Sequence, residues 1–198
     1  MMQESDTASA AFWTERYRKG HHRWDVGTVS KPLKDYFDQL SDKEMLILVP
    51  GAGFGWDAGY LYDAGFKNTF ILDFSAEALQ IFKQNHPHFP EANILFEDFF
   101  DHRAHYDLIV EQTFFSSIPR NKRPNYVSKI YDLLRSNGKL VGLMFNHEFD
   151  FDGPPFGGTF EEYQQLFQEY FHFKVFEIAH NSIKPRRERE LFLLFLKK

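Results

Sequence analysis

Three glycines, Gly51, Gly53 and Gly55, follow the apolar run MLILV (45–49) and Pro50, and an acid, Asp73, closes the next apolar run. Glycines between a buried strand and a helix let the backbone approach a ligand closely, and ligands of open parallel sheets bind at that edge. The spacing is G-x-G-x-G: the dinucleotide fingerprint G-x-G-x-x-G would need glycine where Trp56 stands, and no phosphate-binding G-x-x-x-x-G-K-[ST] occurs. Asp73 follows Gly51 by about 20 residues, where a carboxylate accepts hydrogen bonds from both hydroxyls of a ribose. With Asp98 after a third apolar run, the set describes a nucleoside ligand without pyrophosphate, which S-adenosylmethionine fits. The competing reading makes the glycines a tight turn and Asp73 a helix cap.

The elements that must position these residues come from apolar runs and their punctuation. Short runs at 45–49, 69–72, 93–96, 107–110 and 139–145 predict strands buried on both faces of a parallel sheet. Helical patterns fall between them, with Ser75 as N-cap of SAEALQIFKQ, and Val127, Ile130, Tyr131 and Leu134 at helical spacing before a stop at Ser136-Asn137-Gly138. Thr159 and Glu162 have capping-box spacing at the start of TFEEYQQLFQEYF. Residues 101–105 read as loop. KVFEIAHNSI and ELFLLFLKK, with no helix between them, predict an antiparallel pair at the sheet edge. The architecture expected is α/β: βαβ units with right-handed crossovers and helices on both faces of a mostly parallel sheet that ends in an antiparallel hairpin.

Length and composition bound the rest. The 198 residues suit one domain, with 1–44 as a helical extension covering the ligand and 45–198 as the α/β core. A net charge of -5 gives no general attraction for nucleic acid or an anionic membrane. The N-terminus has no signal-peptide pattern and no apolar run approaches the roughly 18 residues of a bilayer span, so a cytoplasmic protein is expected. The absence of cysteine excludes disulfides, thiolate metal sites and a cysteine nucleophile. His86 with His88, and His102 with His105, lack a convergent third ligand, so no metal is expected. The 24 phenylalanines are an excess without a functional reading.

Five segments in order resemble the thiopurine S-methyltransferase superfamily, which includes thiol, thiocyanate and halide methyltransferases. They are FWTERYRKGHHRWDVG (12–27), VPGAGFGWD (49–57), EDFF (97–100), YDLIVEQTFFSSIPRNKRPNY (106–126) and GPPF (153–156). The resemblance implies a Rossmann-like class I methyltransferase fold with a seven-stranded sheet and S-adenosylmethionine as methyl donor, leaving S-adenosylhomocysteine. It implies Trp13, Tyr17 and Trp24 at the sulfonium, where aromatic faces attract a cation. Gly51 and Gly53 would lie near the methionine part, Asp73 on the ribose, and Asp98 and Phe99 at the adenine, with Gly55, Phe74 and Gln112, the last after the fourth strand, also among the cofactor-binding residues. Phe114, Arg123, Pro155 and Phe156 would hold the methyl acceptor, Arg123 as its cation. Ala52 stands where relatives often carry cysteine, and Val49 where many class I enzymes carry an acid. Glu188 replaces the glycine of the family's R-x-G-R-E pattern, so the basic stretch 184–190 is read first as a solvated hairpin turn, with Arg186 as the alternative to Arg123 at the acceptor.

Methyl transfer from a sulfonium is an in-line displacement with a neutral leaving group, so positioning carries it and no residue is assigned as acid or base. The acceptor expected is a small thiol, thiopurine-like compound, thiocyanate or halide. A cofactor-binding sensor without transfer activity, and a methyltransferase with an oxygen, nitrogen or metalloid acceptor, are the alternatives. Monomer and homodimer are both open.

Overall fold

A computed structural model of the chain describes residues 9–22, 24–51 and 53–198. Ala52 lies outside the described residues. The chain divides between Arg103 and Ala104 into two compact units.

The first unit contains α1 (Ala10–Arg18), α2 (Lys31–Phe37), β1 (Ile47–Pro50), α3 (Trp56–Asp63), β2 (Thr69–Asp73), α4 (Ala76–Asn85) and β3 (Ile94–Phe96). Its strands are parallel, with Pro50 opposite Leu72 and Asp73 opposite Phe96, so their carboxyl ends finish in step. β1 is buried along its whole length, as its unbroken apolar run predicts. Ser75 caps α4 as expected, its hydroxyl accepting from the Ala78 N–H. Gly55 caps α3 at φ 69°, and a Cβ there would run into the Phe82 ring of α4. Only glycine allows both this left-handed turn and the close approach of α4.

The second unit contains β4 (Tyr106–Gln112), α5 (Arg123–Leu133), β5 (Leu134–Phe145), α6 (Phe160–Phe167), β6 (Phe171–Ile178) and β7 (Glu190–Lys197). β4 and β5 are parallel, whereas β7 pairs antiparallel with both β5 and β6. The strands are ordered β3-β2-β1-β4-β5-β7-β6, the mostly parallel seven-stranded sheet with an antiparallel end that the sequence predicts.

Two boundaries differ from expectation. α5 stops at Leu133, and Leu134 already pairs with Tyr106 in the sheet. The register then slips so that Leu108 faces Lys139, and the intervening residues include Asn137 at φ 63°. Ser136-Asn137-Gly138 therefore marks a bulge inside β5 and not a helix stop. The Lys197 amine replaces the missing cap, donating to the carbonyls of Tyr131 and Leu134, each at 2.7 Å. α6 ends at Phe167, four residues early, because Phe171 is buried and belongs to β6, where it pairs with Lys197.

Glu188, in the turn before β7, has φ 63°. A side chain in this conformation costs about 1–2 kcal/mol, of which glycine returns part through its freer unfolded chain. Glu188→Gly is therefore expected to stabilise the protein by about 0.5–1 kcal/mol. Urea unfolding measures it, and an equal or lower midpoint would count against the strain.

Candidate active site

In the first unit, α1 carries Trp13 and Tyr17, and the segment after it returns Trp24 between them. The Trp24 ring lies 5.5 Å from Trp13 and 5.6 Å from Tyr17, both edge-on. The cluster borders the glycine loop: a Cβ on Gly53 would lie 3.8 Å from Tyr17 Oη and 3.9 Å from Trp24 Nε1. Gly51, Gly53 and Gly55 all have positive φ, at 68°, 54° and 69°. Two contacts fasten the N-terminal segment to the start of α3. Trp56 Nε1 donates to Asp25 at 2.8 Å, and the Ser30 N–H donates to buried Asp57 at 3.2 Å. His86 reaches back from the end of α4 to the Phe54 carbonyl at 3.1 Å, which supports the same loop.

The acids follow along the strand ends. Asp73, buried at the end of β2, takes the Ser75 N–H at 2.8 Å on one carboxylate oxygen. It also holds the Tyr17 hydroxyl in its protonated form: burial first, then the charges of Asp73 and Asp25, push that hydroxyl well above the usual tyrosine range. Phe74 is half-buried beside it. Asp98, two residues past β3, accepts the Phe100 N–H at 2.7 Å on Oδ1, and Phe99 is buried with its ring edge-on to Phe100. His102, the other half of a possible histidine pair, bonds to Glu97 at 2.9 Å. Among the described residues, no group of three His, Asp or Glu is placed to hold a metal ion.

In the second unit, Gln112 ends β4 and its amide Nε2 is buried without a hydrogen-bond partner among the described residues, a donor available to a ligand. Thr113 follows at φ 65°, a conformation that a β-branched residue rarely adopts, and Ser116 Oγ holds its carbonyl at 2.7 Å. The turn that carries Phe114 is tied to the GPPF loop, since the Phe156 N–H donates to the Ser116 carbonyl at 2.7 Å. Arg123 draws that loop in further. Its guanidinium has no exposure, meets Glu162 at 2.7 Å and donates to the carbonyls of Phe156 at 3.1 Å and Gly157 at 2.9 Å. Phe114, Arg123, Pro155 and Phe156 therefore belong to one local assembly, in which the arginine charge is already balanced by a carboxylate. Arg120 joins it through Glu148 and the Gly157 carbonyl. Arg186 pairs with buried Glu190 at 3.1 Å, with its guanidinium 5.5 Å from the Phe145 ring.

The thiopurine S-methyltransferase family model matches residues 8–193. The chain belongs to that family. It is a methyltransferase whose methyl donor is S-adenosylmethionine. A probable thiol methyltransferase 2 of Arabidopsis thaliana is 27% identical over 189 residues, covering 92% of this chain and 83% of the relative. Thiocyanate methyltransferase 1 of Brassica oleracea is 28% identical over 194 residues, covering 93% and 84%. The fold resembles that of 1,6-didemethyltoxoflavin-N1-methyltransferase from Burkholderia thailandensis, solved with S-adenosylhomocysteine, at a TM-score of 0.72 and 17% identity over 98% of this chain and 89% of that one.

One residue of this methyltransferase was missed by the sequence reading. Glu111 lies in β4 with no exposure; it accepts the Phe115 N–H at 2.8 Å and the Tyr126 hydroxyl at 2.5 Å. It thereby pins both ends of the turn carrying Gln112, Thr113 and Phe114. Gly142 makes room for it, because a Cβ there would lie 2.6 Å from Glu111 Cβ. An acid inside the apolar run DLIV-EQ was the available signal: a charge in a buried strand needs partners.

Burial pushes the Glu111 carboxyl up to about 7, against the opposing pull of the Tyr126 hydroxyl and the N–H groups of Phe115 and Phe114. An unfolded glutamate loses its proton near pH 4.3. Between about pH 4.3 and 7 the folded chain thus binds more protons than the unfolded one, and Glu111 makes stability fall as pH rises. Glu111→Gln keeps an acceptor for the Phe115 N–H, turns the group facing the Tyr126 hydroxyl from acceptor to donor, so that this hydroxyl must accept, and abolishes the titration. Relative to the parent, the variant is expected to gain stability between about pH 5 and pH 8 by up to a few kcal/mol. Denaturant unfolding at both pH values reads it; a constant difference would overturn the assignment.

Proposed function

We propose that this enzyme, acting as a single cytoplasmic catalytic domain, transfers the methyl group directly to a small soft nucleophile: a thiol, a thiopurine-like compound, thiocyanate or a halide. The observation that carries the reading is the aromatic cluster at the glycine loop, where Tyr17 Oη and Trp24 Nε1 both come within 3.9 Å of a Cβ position on Gly53. Electron-rich rings beside a loop open to close backbone approach suit a sulfonium attached to an amino-acid tail. The names of the relatives, thiol and thiocyanate methyltransferases, point to the same acceptors.

When bound, S-adenosylmethionine supplies an electrophilic methyl carbon whose leaving group departs neutral. The chain's own residues supply position. Trp13, Tyr17 and Trp24 face the positive sulfur, the backbone at Gly51, Gly53 and Gly55 meets the methionine part, Asp73 and Phe74 receive the ribose, and Asp98 and Phe99 receive the adenine. Gln112 offers its buried amide donor. Phe114, Pro155 and Phe156 form an apolar wall suited to a polarizable acceptor.

Arg123 acts by holding this wall in place: its Nη1 meets the Glu162 carboxylate and its Nη2 donates to the Phe156 and Gly157 carbonyls. A soft anion needs no base, and a thiol of ordinary pKa, about 8.5, needs only to be captured as its thiolate. With no cysteine in the chain, no thiol of the enzyme can carry the methyl group, so transfer in a ternary complex is the direct route.

Labelled S-adenosylmethionine offered with thiocyanate, iodide, bisulfide, an aromatic thiol, a phenol and an amine tests the reading. Methylated sulfur or iodide products are expected and methylated oxygen or nitrogen products are not; the reverse pattern rejects the acceptor class. Asp73→Ala is expected to weaken S-adenosylhomocysteine binding by about 1.5–3 kcal/mol through lost ribose hydrogen bonds to a carboxylate. Calorimetric titration measures it, and unchanged affinity rejects the ribose role.

A further inference from the structure

Glu111 is a buried acid that the proposed transfer leaves unused. From α5 it meets the Tyr126 hydroxyl at 2.5 Å, from the turn after β4 the Phe115 N–H at 2.8 Å and the Phe114 N–H, and from β5 it faces Gly142. All of these groups are neutral. β1, next to β4 in the strand order, reads ILVP and has no titratable side chain. The cations of α5, Arg123 and Lys129, are not among the groups that set its charge, and Arg123 is held by Glu162 and the Phe156 and Gly157 carbonyls. A charge on Glu111 is therefore met by hydrogen bonds and not by a cation.

The position of this carboxyl links it to the acceptor. It lies within a hydrogen bond of the Phe114 backbone, and the Phe114 ring is part of the proposed acceptor wall. Glu111 has no exposure, so a negative charge there acts through a low effective dielectric with little screening by salt. An anionic acceptor at the wall and an ionised Glu111 disfavour each other. A protonated Glu111 carries no charge and still offers an oxygen to the N–H groups of the turn. Burial, which pushes this carboxyl up to about 7, puts the exchange between the two forms near neutrality.

We propose that Glu111 couples binding of an anionic acceptor to uptake of a proton. The coupling rests on the reading of Phe114, Pro155 and Phe156 as the acceptor wall. The neutral form of Glu111 admits thiocyanate, a halide or a thiolate, and the ionised form disfavours them. The proton comes from solvent, and by linkage the bound anion raises the proton affinity of Glu111 by the same factor. Transfer then neutralises the acceptor, because the methyl group brings the positive charge of the sulfonium. Repulsion thus weakens binding more than it slows transfer, and KM carries the effect in preference to kcat.

Thiocyanate and iodide isolate the coupling, since neither anion titrates near neutrality. Initial rates at saturating labelled S-adenosylmethionine and constant ionic strength give KM and kcat for each. In the parent, KM is expected to be about three- to tenfold higher at about pH 8 than at about pH 6, with kcat nearly level, as a coupling factor of about five or more implies. Glu111→Gln is expected to hold KM near the low-pH value throughout. Tyr126→Phe removes a hydrogen bond that favours the ionised form, and is expected to move the rise to higher pH while keeping the acid in place.

A parent KM that is equal at both pH values overturns the proposal. A rise that persists in Glu111→Gln, or keeps its midpoint in Tyr126→Phe, assigns the titration to another group and also overturns it. Absence of turnover with either anion is a different result: it rejects the acceptor class, and with it the coupling built on that class.

Discussion

Holding a positive charge away from water is the constraint on which the second unit depends. A guanidinium taken from solvent forfeits several kcal/mol of hydration, and only a charge partner together with hydrogen bonds offsets that loss. Arg123 meets the condition with Glu162 on one side, two carbonyls on another and the Phe115 ring 4.5 Å from its guanidinium carbon. Once those partners are required, the path of residues 156 and 157 is largely decided. The loop carrying Pro155 and Phe156 must pass where its carbonyls point at the guanidinium, and α6 must begin where Glu162 can reach it. In the first unit, the half-buried Arg16 guanidinium lies against the rings of Phe12, Trp13 and Trp24.

This gives part of the aromatic excess a physical meaning. Aromatic faces are apolar enough to pack and carry enough electron density to sit against a cation, which leucine does not. Arg16, Arg123, Arg186 and Lys197 each lie over at least one ring. Other phenylalanines pack ring against ring where α6 meets β6 and β7. Phe160 stacks on Phe176 at 4.3 Å, and Phe195 receives Phe167, Phe173 and Phe176 at 5.4, 4.3 and 5.1 Å. β6 is the last strand in the order, and such ring pairs fasten an edge strand with stabilisation of about 0.5–1.5 kcal/mol each beyond the area they bury.

What was legible in the sequence was what is local in the chain. The glycine loop, the acid at the end of β2, the Ser75 cap and the final antiparallel pair all follow from residues within one or two elements, and the structure has them. The half-made capping box shows where such reasoning stops. Thr159 does accept the Glu162 N–H, but the Glu162 carboxylate goes to Arg123. Spacing cannot anticipate that, because the competing partner comes from a different helix and exists only after folding. The end of α5 fails for the same reason: Leu134 suits a helix by period, and pairing with Tyr106 takes it into the sheet.

The electrostatics of the second unit also bear on the proposed transfer, which assigns no residue as acid or base. A buried carboxylate beside an acceptor wall would repel a thiolate, thiocyanate or halide. Glu111 is the buried acid nearest that wall in sequence, and its raised pKa keeps much of it uncharged near neutrality. The buried cation in the same unit, Arg123, is neutralised by Glu162. Both groups are thus spent on shape: Glu111 fixes the turn through Gln112 and Thr113, and Arg123 fixes the loop through Phe156. Under the proposed acceptor class, what they leave for the acceptor is the apolar, polarizable wall of Phe114, Pro155 and Phe156, and selection of a soft nucleophile would then rest on weak hydration and polarizability, not on a counter-charge.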